Sequence, residues 1–129
     1  MSKFYPLFFV MLLLGCQKES FESVRLGDWG GEHARLQVTE DFWYMEFDCA
    51  HLIVNQPVVI QENTFESPAE YYQEYPVQFD DQELYKPKPA RIEGVLKGSG
   101  MEIKIIVEDQ VYGTYTLIYQ QEAKIYKCA

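Results

Sequence analysis

The feature that most constrains this chain is a period of two. From residue 33 to the C-terminus, aromatic and aliphatic side chains alternate with polar ones in short runs separated by Gly, Asp, Asn and Glu. Such alternation is the signature of a strand with one buried and one wet face. Ala34, Leu36 and Val38 share one face of a strand, and Trp43, Met45, Phe47 and Cys49 share one face of the next, with a turn near Glu40-Asp41. Two registers keep both apolar rows on one side. With Thr39 opposite Phe42, Arg35 faces Glu46 and His33 faces Asp48; with Thr39 opposite Tyr44, Arg35 faces Asp48. Either one sets opposite charges across the ladder.

The last third predicts a meander of four strands, over 90–96, 101–107, 111–119 and 124–128, with turns at Gly98-Ser99-Gly100 and Glu108-Asp109-Gln110. Met101, Ile103, Ile105 and Val107 form one inward row, and Tyr115, Leu117 and Tyr119 another. Short strands over 52–54 and 58–61 raise the total to seven or eight. The expected fold is all-β, a small antiparallel barrel or sandwich. The middle is the exception. Ser67-Pro68-Ala69-Glu70 places a capping hydroxyl, a proline at a first helical position and a carboxylate three residues after the cap, which predicts a short helix over 68–74. Lys86-Pro87-Lys88-Pro89 reads as an extended linker.

The N-terminus has a different character. Lys3 supplies a positive start, residues 4–14 supply eleven mostly apolar positions, and Leu13-Leu14-Gly15-Cys16 closes the run. This is the make-up of a signal peptide, too short to span a bilayer, which needs about twenty apolar residues. Leu13-Leu14-Gly15-Cys16 resembles the lipobox of bacterial lipoproteins. The resemblance implies cleavage before Cys16, a diacylglycerol on its sulfur and an acylated amino terminus. Residues 1–15 are then a lipoprotein signal peptide, 16–25 a lipidated tether that holds the domain clear of the lipid, and 26–129 a single β domain. Two or more acyl chains hold such a domain durably. Gln17 is not the aspartate associated with inner-membrane retention, which by resemblance favours the outer membrane. Gln17-Lys18-Glu19 is similar to the start of a surface-export signal, so the protein is expected facing the periplasm or displayed on the cell surface.

With Cys16 consumed by lipid, Cys49 and Cys128 remain as a pair in an oxidising compartment, and a disulfide between them is predicted. The alternative is two thiols serving a metal.

Charge is distributed unevenly. Between residues 36 and 85 there are eleven carboxylates and no Lys or Arg, whereas 86–129 holds seven bases against five acids. Nucleic acid and anionic lipid are poor partners for such a surface; a cationic protein or peptide, or calcium, suits it better. The plain alternative is that the acids only keep the protein dispersed.

Trp29-Gly30-Gly31-Glu32-His33, Val38-Thr39, Glu46-Phe47-Asp48-Cys49-Ala50-His51, Pro89-Ala90-Arg91, Gly94, Met101, Gly113-Thr114-Tyr115-Thr116-Leu117 and Lys127-Cys128 resemble an uncharacterised family of small exported bacterial proteins. The similarity spans nearly the whole mature chain and implies no known reaction. Phe42, Leu52 and Ile92 depart from it, standing where members tend to carry Gly, Gly and Tyr.

Candidates for chemistry are few. His33, Asp48 and His51, with Glu32 nearby in sequence, are candidates for a metal or polar site, because imidazole with carboxylate binds zinc or moves protons. The spacing matches no dedicated metal motif, and His33 opposite Asp48 is also an ordinary cross-strand pair. Ser99 sits in a turn between strands, not on a nucleophile elbow. Trp29 and Trp43 read as core or plug. Glu70, Tyr71, Tyr72, Glu74 and Tyr75 form a candidate contact patch for a cationic surface, or else the amphipathic helix just described.

Three functions fit: a tethered binding or interaction module with no cofactor, an inhibitor of a cationic envelope enzyme such as lysozyme, and a metal-dependent enzyme using His33, Asp48 and His51. The inhibitor rests on analogy of architecture and charge alone. The balance lies with the binding module and against an enzyme.

Overall fold

The computed structural model describes residues 21–128. Among them are ten strands: β1 (Phe21–Glu22), β2 (Gly27–Gly31), β3 (Ala34–Val38), β4 (Trp43–Phe47), β5 (Ala50–Val54), β6 (Ile60–Gln61), β7 (Thr64–Gln73), β8 (Lys88–Lys97), β9 (Gly100–Val107) and β10 (Gln110–Tyr119). A 3₁₀ turn covers Gln82–Tyr85.

Eight of the strands form a closed ring. In the order β7-β5-β4-β3-β2-β10-β9-β8 each pairs antiparallel with the next, and β8 pairs back onto β7 from Tyr71↔Lys88 to Thr64↔Val95. β6 joins the foot of β7, and β1 pairs with β6. An eight-stranded barrel is just narrow enough to be filled by side chains. Trp29, Leu36, Met45, Phe47, Leu52, Ile92, Met101, Ile103, Ile105 and Leu117 fill it, each at most 2% exposed. Polar residues take the outward positions, among them Arg35, Glu46, Glu66, Glu93, Glu102 and Lys104. A charged outer face is the reverse of the apolar band of a membrane-spanning barrel.

The first hairpin takes the tighter of the two registers. Val38 pairs with Trp43, and the Thr39 N–H donates to the Phe42 carbonyl at 3.0 Å, which leaves Glu40-Asp41 as the turn. The alternating rows expected for β3, β4, β9 and β10 are present.

Because neighbours run antiparallel, the connections fall at two ends. The basal end carries the β3–β4 turn, the β5–β6 loop over 55–59 and the β8–β9 turn over 98–99. The apical end carries Glu32-His33, Asp48-Cys49, the β9–β10 turn at Glu108-Asp109 and the long 74–87 connection. β1 is antiparallel to β6 and β6 to β7, so β1 runs from base to apex. The chain then turns across the basal end, where Val24 is buried at 4% exposure.

The structure corrects the sequence reading in four places. The helix expected over 68–74 is instead the second half of β7. Phe65, Ser67, Ala69 and Tyr71 point inward with the period of a strand, and Ser67 Oγ donates to the Pro68 carbonyl at 3.0 Å, so it caps no helix. A proline is tolerated because β7 has already lost β6 at Thr64 and does not meet β5 before Glu70; Pro68 is paired only with β8. Second, Lys88-Pro89 begins β8 and is no linker. Third, residues 124–128 form no strand; a single parallel bridge joins Lys124 to Glu32. Fourth, β2 was not anticipated, and residues 21–25, expected within the tether, are packed on the barrel through β1, Val24 and Arg25, whose guanidinium lies 4.2 Å over the Tyr119 ring. Cys16 and the leader lie outside the described residues.

Candidate functional site

After β10 the chain turns at Gln120-Gln121 and climbs the outside of β2 towards the apical end as a strap. What lets it lie there is the absence of a side chain at Gly30: a Cβ would run into the backbone of Gln121 and Ala123. Trp29, one residue before, faces inward and fills the core, with its indole N–H donating to the Arg25 carbonyl at 3.1 Å. Higher up, the His33 N–H donates to the Lys124 carbonyl at 2.7 Å and the Lys124 N–H to the Gly31 carbonyl at 3.0 Å.

Asp48 fastens the next part. Its Oδ2 lies 2.6 Å from His33 Nδ1, and its Oδ1 accepts the Tyr126 N–H at 2.8 Å. The Cys128 N–H donates to the Asp48 carbonyl at 3.2 Å, and the Cys49–Cys128 disulfide closes the end over 79 residues of sequence. Lys127 Nζ reaches Glu74 Oε1 at 2.9 Å, Glu46 Oε2 at 3.0 Å and the Phe47 carbonyl at 3.1 Å. Two Trp-Gly-Gly-x-His and Phe-Asp-Cys-Ala-His segments and Lys127-Cys128 thus converge on one task, holding the C-terminal strap to the barrel. Ala50, also in the second segment, is fully buried.

His51 does not join His33 and Asp48. Its Nδ1 lies 2.8 Å from Glu74 Oε2, and its ring is stacked between Tyr72, at 4.8 Å and 10°, and Tyr44, at 5.5 Å and 22°. Each histidine therefore has its own carboxylate: the His33–Asp48 pair is formed, and His51, the third candidate for a metal or polar site, stands apart from it on Glu74. Among the described residues no three His, Cys, Asp or Glu side chains are grouped so as to hold a metal ion. The imidazole of His51 is held flat on both faces and hydrogen-bonded at its edge, an arrangement that fixes position and restricts approach.

Partial burial works against the charge on Glu74, yet hydrogen bonds from Lys127 and His51 outweigh it and hold the carboxyl below its ordinary range. Burial likewise opposes the charge on Lys127, and Glu74 with Glu46 outweighs it and raises the ammonium. Inside the apical mouth, burial first, then Tyr112 and Asp48, push the Tyr115 hydroxyl up to about 12.

The candidate contact patch divides. Tyr71 is buried at 4% exposure, facing Tyr112 across the mouth of the barrel at 5.1 Å, with its hydroxyl donating to Gln73. Glu70 and Tyr72 stay on the outer wall, where the Tyr72 hydroxyl donates to Glu70 Oε1 at 3.2 Å. Glu74 belongs to the strap's ion pairs. Only Tyr75 leads into a surface with the chemistry expected of a contact.

That surface is the 74–87 connection. Tyr75 stands edge-on to both Phe79, at 5.4 Å, and Tyr85, at 5.7 Å, and the Phe79 N–H donates to the Tyr85 hydroxyl at 2.6 Å. Asp81 Oδ1 accepts the Glu83 N–H at 3.0 Å and starts the 3₁₀ turn. The loop is therefore ordered by its own aromatic residues, yet Val77, Phe79 and Tyr85 remain 59%, 42% and 36% exposed beside the exposed Asp80, Asp81 and Glu83. The contact patch read from the sequence took in only Glu74 and Tyr75 of this loop; the spacing of Tyr75, Phe79 and Tyr85 around an acidic turn was the available signal for the rest. Val111, Tyr112 and Tyr126, also exposed, lie at the same end of the barrel.

Comparison with family models, with characterised proteins and with solved structures finds no match to this chain.

Proposed function

We propose that this protein is a lipid-anchored lipoprotein of a bacterial outer membrane whose barrel is a binding module, and that it takes a cationic protein or peptide at its apical end. The anchor rests on Leu13-Leu14-Gly15-Cys16, and membership of the exported family on the Trp-Gly-Gly-x-His and Phe-Asp-Cys-Ala-His segments. One observation carries the binding reading: β1 enters from the base, while the exposed aromatic and acidic 74–87 loop stands at the apex. A module anchored at one end and adhesive at the other presents its contact surface away from its lipid. Aromatic side chains supply contact area at low entropic cost, and carboxylates beside them steer a basic partner. Four acids stand against one base, Lys86, in the loop.

The two histidines do not favour an enzyme reading, since His33 and His51 are separate and each is paired with a different carboxylate, Asp48 and Glu74. Binding of the soluble domain, produced from Gln17 onward, to lysozyme and to an arginine-rich peptide tests the reading by titration at low and high salt. Saturable binding that weakens with salt is expected. No binding of either cationic probe at low salt contradicts it.

A further inference from the structure

We infer that the basal end of the barrel rests on the bilayer, with Leu26 and Phe42 inserted among the phospholipid headgroups, an inference that builds on the proposed anchor at Cys16. The observations concern the end opposite the proposed binding face. An open, mainly apolar cavity of about 350 Å³ lies there; Val24, Leu26, Val38, Phe42, Trp43 and Val58 supply its apolar lining, and Arg25, Thr39, Glu40 and Gln56 are among the polar residues beside them. At its rim Leu26 is 50% and Phe42 40% exposed, and the hydrogen bonds that hold the local backbone come from Tyr119 and Thr39. The Leu26 carbonyl accepts the Tyr119 hydroxyl, and the Phe42 main chain exchanges hydrogen bonds with Thr39.

Chain length names the occupant. Four residues, Gln17, Lys18, Glu19 and Ser20, separate Cys16 from the start of β1 at Phe21. Five residue steps reach at most about 18 Å when fully extended. The headgroup layer takes up roughly 5–8 Å of that. Residues 21–25, which as free tether were expected to let the domain stand clear, are committed to the barrel, so the leash is about half as long as the sequence suggested. β1 rises from the basal end, so a lipid on Cys16 is kept within about 18 Å of where β1 begins. An apolar rim kept this close to a membrane meets it at high effective concentration. Glu40 and Asp41 in the adjoining turn favour a zwitterionic surface over an anionic one.

The test uses the full lipidated protein in phosphatidylcholine vesicles. Once Cys16 is acylated and Cys49 is bonded to Cys128, a single added thiol carries an environment-sensitive dye at Phe42→Cys or, at the apex, Gln78→Cys. Headgroup spin-labelled lipid is expected to quench position 42 several-fold more than position 78, and a twenty-residue Gly-Ser insertion after Ser20 combined with Leu26→Ser is expected to remove the difference. Equal quenching at the two positions, in protein that floats with the vesicles and carries lipid by mass, overturns basal docking and leaves the anchor standing. Protein that carries no lipid on Cys16 overturns both.

Discussion

Asp48 and His33 face each other across the apical end, Oδ2 to Nδ1 at 2.6 Å, and the second oxygen of the same carboxylate takes the Tyr126 N–H of the strap. One side chain thereby couples the β2–β3 turn to the C-terminal segment. His33 is held at φ 68°, and the pair fixes the imidazole above that left-handed turn. Asp48→Ala is expected to cost about 1–2 kcal/mol, as loss of charge-assisted hydrogen bonds at a half-exposed site. Urea unfolding measures it. His33→Gln should cost less, because the bond to Tyr126 survives.

Gly30 makes the second prediction. A methyl group there meets the backbone of Gln121 and Ala123, not a yielding side chain. Gly30→Ala should therefore lift the strap, costing about 2 kcal/mol or more by overpacking, and expose 121–127 to proteolysis. Gly98 is the control: it has a positive φ of 61° but open space around it, so Gly98→Ala should cost about 1 kcal/mol or less from backbone strain. Limited proteolysis read by mass spectrometry separates the two variants.

The disulfide closes the same segment. In the chain-entropy account, a bridge across 79 residues contributes at most about 4.5 kcal/mol. Cys49→Ser with Cys128→Ser should lower the urea midpoint with a smaller loss than that ceiling, and the C-terminal amides beyond Gln121 should lose hydrogen-exchange protection before the barrel strands do.

pH dependence follows from Glu74 and Lys127. The Glu74 carboxyl is held below its ordinary range in the folded protein, so its contribution is present above the unfolded value, near 4.3, and is lost as pH falls through the depressed one. Lys127 is raised, so its contribution is complete below its unfolded value and is lost only as pH rises through the raised one. Side chains 30% and 43% exposed are screened by solvent, which limits the acid limb to about 1 kcal/mol. Melting temperature against pH should fall less steeply on the acid side in Glu74→Gln than in the parent. An identical acid slope in the two proteins would count against the pairing.

How much of this was legible depended on whether the partner was local. β3 and β4 were readable because Leu36, Val38, Trp43 and Met45 state one face without ambiguity, and their two-residue turn brought Asp48 opposite His33. β2 was not readable, since Gly27–Gly31 offers one large apolar side chain, Trp29, among three glycines, of which Gly30 makes room for the strap and Gly31 for the backbone of β10. Ser67-Pro68-Ala69-Glu70 carries a helix start in local terms, and it lost to eight consecutive pairings with β8 that no local rule sees. His51 was separated from Glu74 by 23 residues and from Lys127 by more. Its partner emerges only from the pairing of β5 with β7, which is why the sequence left His51 beside His33 and Asp48 as a candidate metal or polar site where two separate ion pairs stand.

The most direct measurement compares two pairs of substitutions in one binding assay against an arginine-rich peptide at low salt. Phe79→Ser with Tyr85→Ser strips the apical loop of its exposed aromatics; His33→Gln with His51→Gln removes both imidazoles from the barrel side of the strap's anchorage. The expected result is at least a tenfold loss of affinity in the loop variant, consistent with two aromatic contact residues contributing about 1 kcal/mol or more each, and near-parent affinity in the histidine variant once folding is verified by melting. Retained binding in the folded loop variant, with loss in the folded histidine variant, would place recognition on the strap and contradict the apical assignment.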